Sequence, residues 1–99
     1  MTRRTKIVAT IGPASDTLVA LQDLMRAGVD VVRLNLSHGT IDEHLARLAT
    51  VRAAAEAVGK EVAVLADLPG PKVRSGRFPE GGSMLVVGKE IQLRAGDKP

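Results

Sequence analysis

Ninety-nine residues, 44% of them hydrophobic and 25% charged, with a mean hydropathy of +0.07, describe a folding chain of one domain's length. The longest apolar run is residues 62–66, far short of the about 20 residues a membrane-spanning helix needs, and the start of the chain lacks the apolar stretch of a secretory signal. The absence of cysteine excludes a disulfide framework, a thiolate zinc site and a thiol nucleophile, and the chain reads as cytoplasmic. Fourteen Lys and Arg against 11 Asp and Glu leave a net charge of +3, a mild attraction for anions. With Phe78 as the single aromatic residue, a base-stacking nucleic-acid surface is not expected, and neither is a membrane partner.

The predicted elements alternate. Residues 6–11, Lys-Ile-Val-Ala-Thr-Ile, read as a buried strand closed by Gly12-Pro13. Leu18, Leu21, Leu24 and Met25 then recur at helical spacing, opened by Ser15 or Asp16 as N-cap and stopped by Gly28. A second strand covers residues 31–37. Thr40 and Glu43 form a capping-box pattern ahead of a helix whose apolar stripe is Leu45, Leu48, Val51, Ala55 and Val58, with Gly59 as its stop. The third strand, residues 62–68, is apolar until Asp67 and is broken by Pro69-Gly70-Pro71. This β-α-β-α-β order predicts an α/β fold with parallel strands covered by helices. Beyond Lys72 the texture changes: Pro79-Glu-Gly-Gly82 reads as a turn, and residues 84–87 and 90–94 as short strands opening a β-rich segment. Three parallel strands close no barrel and require cover on both faces, so the chain reads as the N-terminal piece of something larger.

Ligands of parallel α/β folds bind at the carboxyl ends of the strands. Strand alternation puts Arg33, Asn35 and Ser37 on one face, and Leu34 and Leu36 on the other. A cation, an amide and a hydroxyl on one face of a packed strand call either for a polar ligand or for polar partners such as Asp67. His38 begins the next loop, and Gly39-Thr40 leads into a helix N-terminus, a natural anion site. Asp67, alone in an apolar strand, needs a cation, a metal or hydrogen-bond donors. Lys72 and Arg74 lie two residues apart just beyond the turn; with Arg33 they would make a cluster for phosphate or carboxylate, or else they are solvated loop cations. Phosphate-loop, dinucleotide, nucleophile-elbow and zinc-protease motifs are missing. Arg3-Arg4 reads as a solubilising start.

Three blocks, Thr5-Lys-Ile-Val-Ala-Thr-Ile-Gly-Pro-Ala-Ser15, Ala27-Gly-Val-Asp-Val-Val-Arg-Leu-Asn-Leu-Ser-His-Gly39 and Asp67-Leu-Pro-Gly-Pro-Lys-Val-Arg74-Ser-Gly76, resemble in order and spacing the N-terminal part of pyruvate kinase. The resemblance covers residues 5–76 well and the remainder loosely. It implies a partial (β/α)8 TIM barrel over residues 1–73 and the start of an inserted β-barrel lid over 74–99. It also implies phosphoryl transfer from phosphoenolpyruvate to ADP, giving pyruvate and ATP, in a glycolytic homotetramer. By resemblance Arg33 would contact the transferring phosphate. Asn35, Leu36, Ser37, His38 and Arg74 would contact the nucleotide, and Pro13 would border the adenine. Asn35, Ser37, Asp67 and the carbonyl of Leu68 match the positions that hold a monovalent cation, usually potassium. Lys72 stands where potassium-dependent members carry Glu, so its ammonium would replace the ion as a fixed charge. Pro69 also departs from the family's usual Lys or Gln and removes a backbone donor. The carboxylates that bind Mg2+ in the family lie on later strands, outside these residues, so the isolated chain is expected to be inactive. Two other readings compete: another barrel enzyme acting on phosphoenolpyruvate or a keto acid, such as a lyase, and a non-catalytic chain that binds a ligand or a partner through its open strand edge.

Overall fold

A computed structural model describes residues 3–96; residues 1–2 and 97–99, the outer ends of the two predicted domains, lie outside the described residues. The chain divides into two units, Met1–Pro69 and Gly70–Pro99.

The first unit is a three-stranded parallel sheet in the order β1-β2-β3, with β1 at Val8–Thr10, β2 at Val31–Asn35 and β3 at Ala63–Asp67. Helices α1 (Leu18–Ala27) and α2 (Ile41–Val58) make the two crossovers and pack against each other. The core joins Ile11, Val32, Leu34 and Val62 from the sheet side to Leu21, Met25, Val51, Ala54 and Ala55 from the helices. Val32 and Leu34 are buried while Val31, Arg33 and Asn35 are half-buried, the alternation expected of β2.

All three strands are shorter than the predicted 6–11, 31–37 and 62–68. β2 stops early because Asn35 Oδ1 accepts the Ser37 N–H (3.1 Å) and Asn35 O the His38 N–H (3.3 Å), turning the chain. Ser37 therefore lies in the turn, not on the strand face. β3 is an edge strand paired only to β2, and Leu65 and Leu68 are exposed rather than buried.

The N-cap of α1 is Thr17, whose Oγ1 accepts the Ala20 N–H at 3.2 Å. Ser15 and Asp16 are engaged elsewhere, Ser15 Oγ by the Gly12 N–H and Asp16 by Arg47. Gly28 ends α1 as predicted. On α2 the capping box is present in both directions, with Thr40 Oγ1 accepting from Glu43 N–H and Glu43 Oε2 from Thr40 N–H. At its other end Gly59 turns left-handed, and the Gly59 and Lys60 amides take the last helical carbonyls. The apolar stripe needs one correction: Leu45 is 57% exposed and His44 is buried in its stead. Counting back seven residues from Val51, two helical turns, lands on 44 rather than 45.

Arg3 is no solubilising start. Its guanidinium donates to the carbonyls of Thr5 and Gly28 and to Asp30 Oδ2, the last at 2.8 Å. Asp30, just ahead of β2, also accepts the Ile7 N–H at 2.9 Å and lies 3.4 Å from Lys60 Nζ. Lys60 in turn donates to Val29 O. The N-terminal ends of β1 and β2 and the approach to β3 thus converge on one carboxylate.

The second unit contains turns at Pro79–Gly82 and Val86–Lys89, closed by the Gly82 N–H to Pro79 O (2.8 Å) and the Lys89 N–H to Val86 O (3.2 Å). The predicted strands at 84–87 and 90–94 do not form. Two short segments without a third strand or a helix to cover them are marginal as a ladder, and Met84, Leu85, Val87 and Leu93 are exposed.

The Ile7 amide, opposed by burial and helped by Arg3 and Lys60, lowers the pKa of Asp30 from 3.8 to about 2. The depressed folded-state value means that this carboxylate stabilises the fold fully above pH 3.8 and progressively less as pH falls through about 2. Asp30→Asn is expected to lower the urea midpoint at neutral pH, with the gap to the unmodified protein closing between pH 4 and 2. Far-UV circular dichroism reads this in a chain without Trp or Tyr; a gap independent of pH would refute the assignment.

Candidate functional site

At the opposite end of the sheet, the carboxyl ends of the strands carry the polar groups. Thr10 of β1 is in register with Arg33 of β2, and Asn35 of β2 with Asp67 of β3. The Arg33 side chain spans all three strands. Its Nη1 donates to Thr10 Oγ1 at 3.1 Å, its Nε donates to Asp67 Oδ2 at 3.0 Å, and its Nη2 donates to the same oxygen. The polar-partner alternative raised by residue type is therefore realised. It does not exhaust the residue: these bonds use three of the five guanidinium N–H donors, and the side chain is partly open to solvent. A half-exposed pair of this kind orients the guanidinium without sealing it from an anion.

Beside it lies a cleft of about 410 Å³ between the β1–α1 and β2–α2 loops, bordered by Gly12, Pro13, Asn35, His38, Gly39 and His44 among others. Both loops are anchored on α2. Arg47 Nε donates to Asp16 Oδ2 at 3.2 Å, holding the first loop, and His44 Nε2 lies 2.6 Å from the carbonyl oxygen of His38, holding the second. Leu36 joins through its backbone, its N–H donating to Asp67 O at 3.0 Å. Gly39 has φ +77°, and a Cβ there would stand 2.7 Å from Glu43 Oε2 and 3.4 Å from His44 Nε2. The chain folds in this way locally because a left-handed glycine and a capping box meet at one corner.

Of the predicted residues, Pro13, Asn35 and His38 border this one cleft, Arg33 and Asp67 form the ion pair beside it, and Ser37 and Leu68 are exposed near the strand ends. Lys72 and Arg74 belong to the second unit, where both are exposed. Sequence reasoning missed Thr10, Arg47 and His44. Parallel pairing sets Thr10 beside Arg33, and the seven-residue step back from Val51 marks His44. Arg47 carries no local signal, because its partner is 31 residues away. Among the described residues no three His, Asp or Glu side chains come together as a metal site, and no helix is long and apolar enough to cross a membrane.

Fold and site together define a segment of a parallel α/β protein that gathers charged and polar groups at the carboxyl ends of its strands, the ligand-binding end of such sheets. The family model described as pyruvate kinase, barrel domain, matches residues 2–98. The chain belongs to the pyruvate kinase family. It is 48% identical over 89 residues to a pyruvate kinase of Staphylococcus haemolyticus, a match covering 90% of this chain and 15% of that protein. To one of Mycobacterium tuberculosis it is 46% identical over 96 residues, covering 97% and 20%. The crystal structure of a pyruvate kinase from Cryptosporidium parvum superposes with a TM-score of 0.73 at 37% identity, over 79% of this chain and 16% of that one. The chain therefore spans at most about a fifth of the curated relatives' length. The family match selects the pyruvate kinase reading over the lyase.

The Gly39 corner is directly testable. Gly39→Ala is expected to lower stability by ~1–2 kcal/mol through the left-handed backbone alone, and further as Glu43 is pushed off Thr40. Urea unfolding followed by circular dichroism checks it; an unchanged midpoint would show that the corner is not held as described.

Proposed function

We propose that the chain is the N-terminal segment of an enzyme that transfers the phosphoryl group of phosphoenolpyruvate to ADP, in a cytoplasmic homotetramer, with residues 1–73 in a (β/α)8 barrel and 74–99 opening an inserted lid. The observation that carries the reading is Arg33, held across three strand ends by Thr10 and Asp67 and set beside the cleft of Pro13, Asn35 and His38. Phosphoryl transfer requires chiefly positioning and the neutralisation of charge on the moving group. In this proposal Arg33 supplies a pre-oriented cation to the phosphate, and the cleft receives the nucleotide, with Pro13 bordering the adenine and Asn35, Leu36, Ser37 and His38 contacting the nucleotide; Arg74 is a further nucleotide contact. Holding both partners in one geometry turns an encounter into an intramolecular step.

The donor set of Asn35 Oδ1, Ser37 Oγ, the Asp67 carboxylate and Leu68 O is all oxygen, with Asn35 and Asp67 side by side in register, which suits a hard monovalent cation such as potassium. When bound, such an ion supplies one positive charge next to the transferred group. Asn35 Oδ1 already accepts from Ser37 N–H, and Asp67 Oδ2 from Arg33. Much of what an ion would neutralise at Asp67 is therefore already matched by Arg33, and in this proposal Lys72 takes the ion's part as a fixed charge. The residues for Mg2+ lie outside this chain in the proposal. The segment by itself is expected to be silent.

The test is a coupled pyruvate assay on the complete enzyme with phosphoenolpyruvate, ADP and magnesium, with and without potassium. Activity that ignores potassium, becoming potassium-dependent in Lys72→Glu, is expected. Strict dependence in the unmodified enzyme would remove the role given to Lys72, and no pyruvate at all would remove the proposed function.

A further inference from the structure

We propose that His44 is a positioning residue for the nucleotide: through its Nε2 it fixes the carbonyl of His38, and with it the 36–39 loop that borders the cleft. The inference rests on the functional reading above, since it assigns His44 a part in holding the ADP side of that same site.

His44 is the buried polar residue of the core, 7% exposed, on the face of α2 otherwise lined by Val51, Ala54 and Ala55. A leucine would occupy that face without loss of hydration, whereas an imidazole must leave water with two ring nitrogens to satisfy. A carbonyl oxygen only accepts, so at 2.6 Å Nε2 is the donor. Nδ1 is buried and finds no partner among the described residues, so the His38 bond is the ring's one protein hydrogen bond. A buried polar side chain that satisfies a single nitrogen serves the group at that nitrogen, and here that group is the middle of a loop.

The loop depends on that bond. Its two ends are held independently: the Leu36 N–H donates to Asp67 O, and the Thr40 N–H donates to Glu43 Oε2. Between them the Ser37 N–H is held by Asn35 Oδ1 at 3.1 Å, but past it the His38 N–H to Asn35 O contact is long, at 3.3 Å, and Gly39 has no side chain to brace the loop. The His38 carbonyl is thus the mid-loop point at which the rigid helix grips the chain. Swinging that peptide would swing the Gly39 amide and the His38 side chain, whose residues both border the cleft. Arg33 is held separately, by Thr10 and Asp67, so the phosphoenolpyruvate side of the site is insulated from His44.

Two amide variants separate this role from mere packing. Glutamine carries its NH2 to the position of the Nε2 donor, while asparagine is one methylene shorter and ends near Nδ1, out of reach of His38 O. In the complete enzyme, His44→Gln is expected to keep KM for ADP within about threefold. His44→Asn is expected to raise it about tenfold, the scale of one lost buried hydrogen bond, with KM for phosphoenolpyruvate unchanged in both. Calorimetric titration with ADP alone should show the same order. The inference is overturned if the two variants behave alike, if both substrates weaken together, or if neither variant folds, since each result makes His44 a packing residue only. No pyruvate from the unmodified enzyme would instead overturn the functional reading, and this inference with it.

Discussion

Strand β2 has a neighbour on each side, and parallel pairing in register leaves its side chains no choice of face. Val32 and Leu34 enter the core between sheet and helices, so Arg33 and Asn35 must emerge on the other side, at the strand's carboxyl end. A one-residue slip would bury a guanidinium and expose two aliphatic chains, a penalty no surface ion pair offsets. Everything polar in the candidate site is arranged around that outcome: Thr10 and Asp67 are the residues that the flanking strands bring within reach of Arg33, and Asn35 is the one whose amide turns the chain away into the loop.

Two carboxylates illustrate how the ends of the sheet differ. Asp30 receives a backbone amide and two cationic side chains and ties down the N-terminal ends of the strands, where nothing needs to move. The Asp67 carboxylate receives Arg33 and remains nearly half exposed. The first is a fastening, and its low pKa records that. The second orients a cation and leaves donors over, which is what a binding end requires. Parallel barrels separate stability from chemistry between the two ends of their strands, and this segment has the same contrast between a fastened end and an open polar one.

Much of this was legible from residue order. The alternation of strands and helices, the stops at Gly28 and Gly59 and the Thr40–Glu43 box are local effects, and they form as read. The tie between Arg33 and Asp67 was open but visible as one alternative. What was not legible depends on competition or distance. Ser15 and Asp16 are sound N-caps in isolation, yet each is claimed by another partner, Gly12 and Arg47, leaving Thr17. Leu45 and His44 are adjacent, and hydrophobicity favoured the wrong one because the polar residue is buried for its hydrogen bond. Residues 84–94 have the composition of strands without a ladder to join, and composition alone supplies no partner.

The sheet order β1-β2-β3 repeats the order of the chain, so each strand docks on the one made just before it. Closing each crossover loop requires only the helix between, and the entropy of closure grows slowly with its length. During synthesis the segment therefore has no need to wait for distant sequence: β2 is able to zip onto β1 once α1 has emerged, and β3 onto β2 after α2. The sheet is thus extended in one direction from its first strand, with β2 enclosed and β3 left as its last-formed edge.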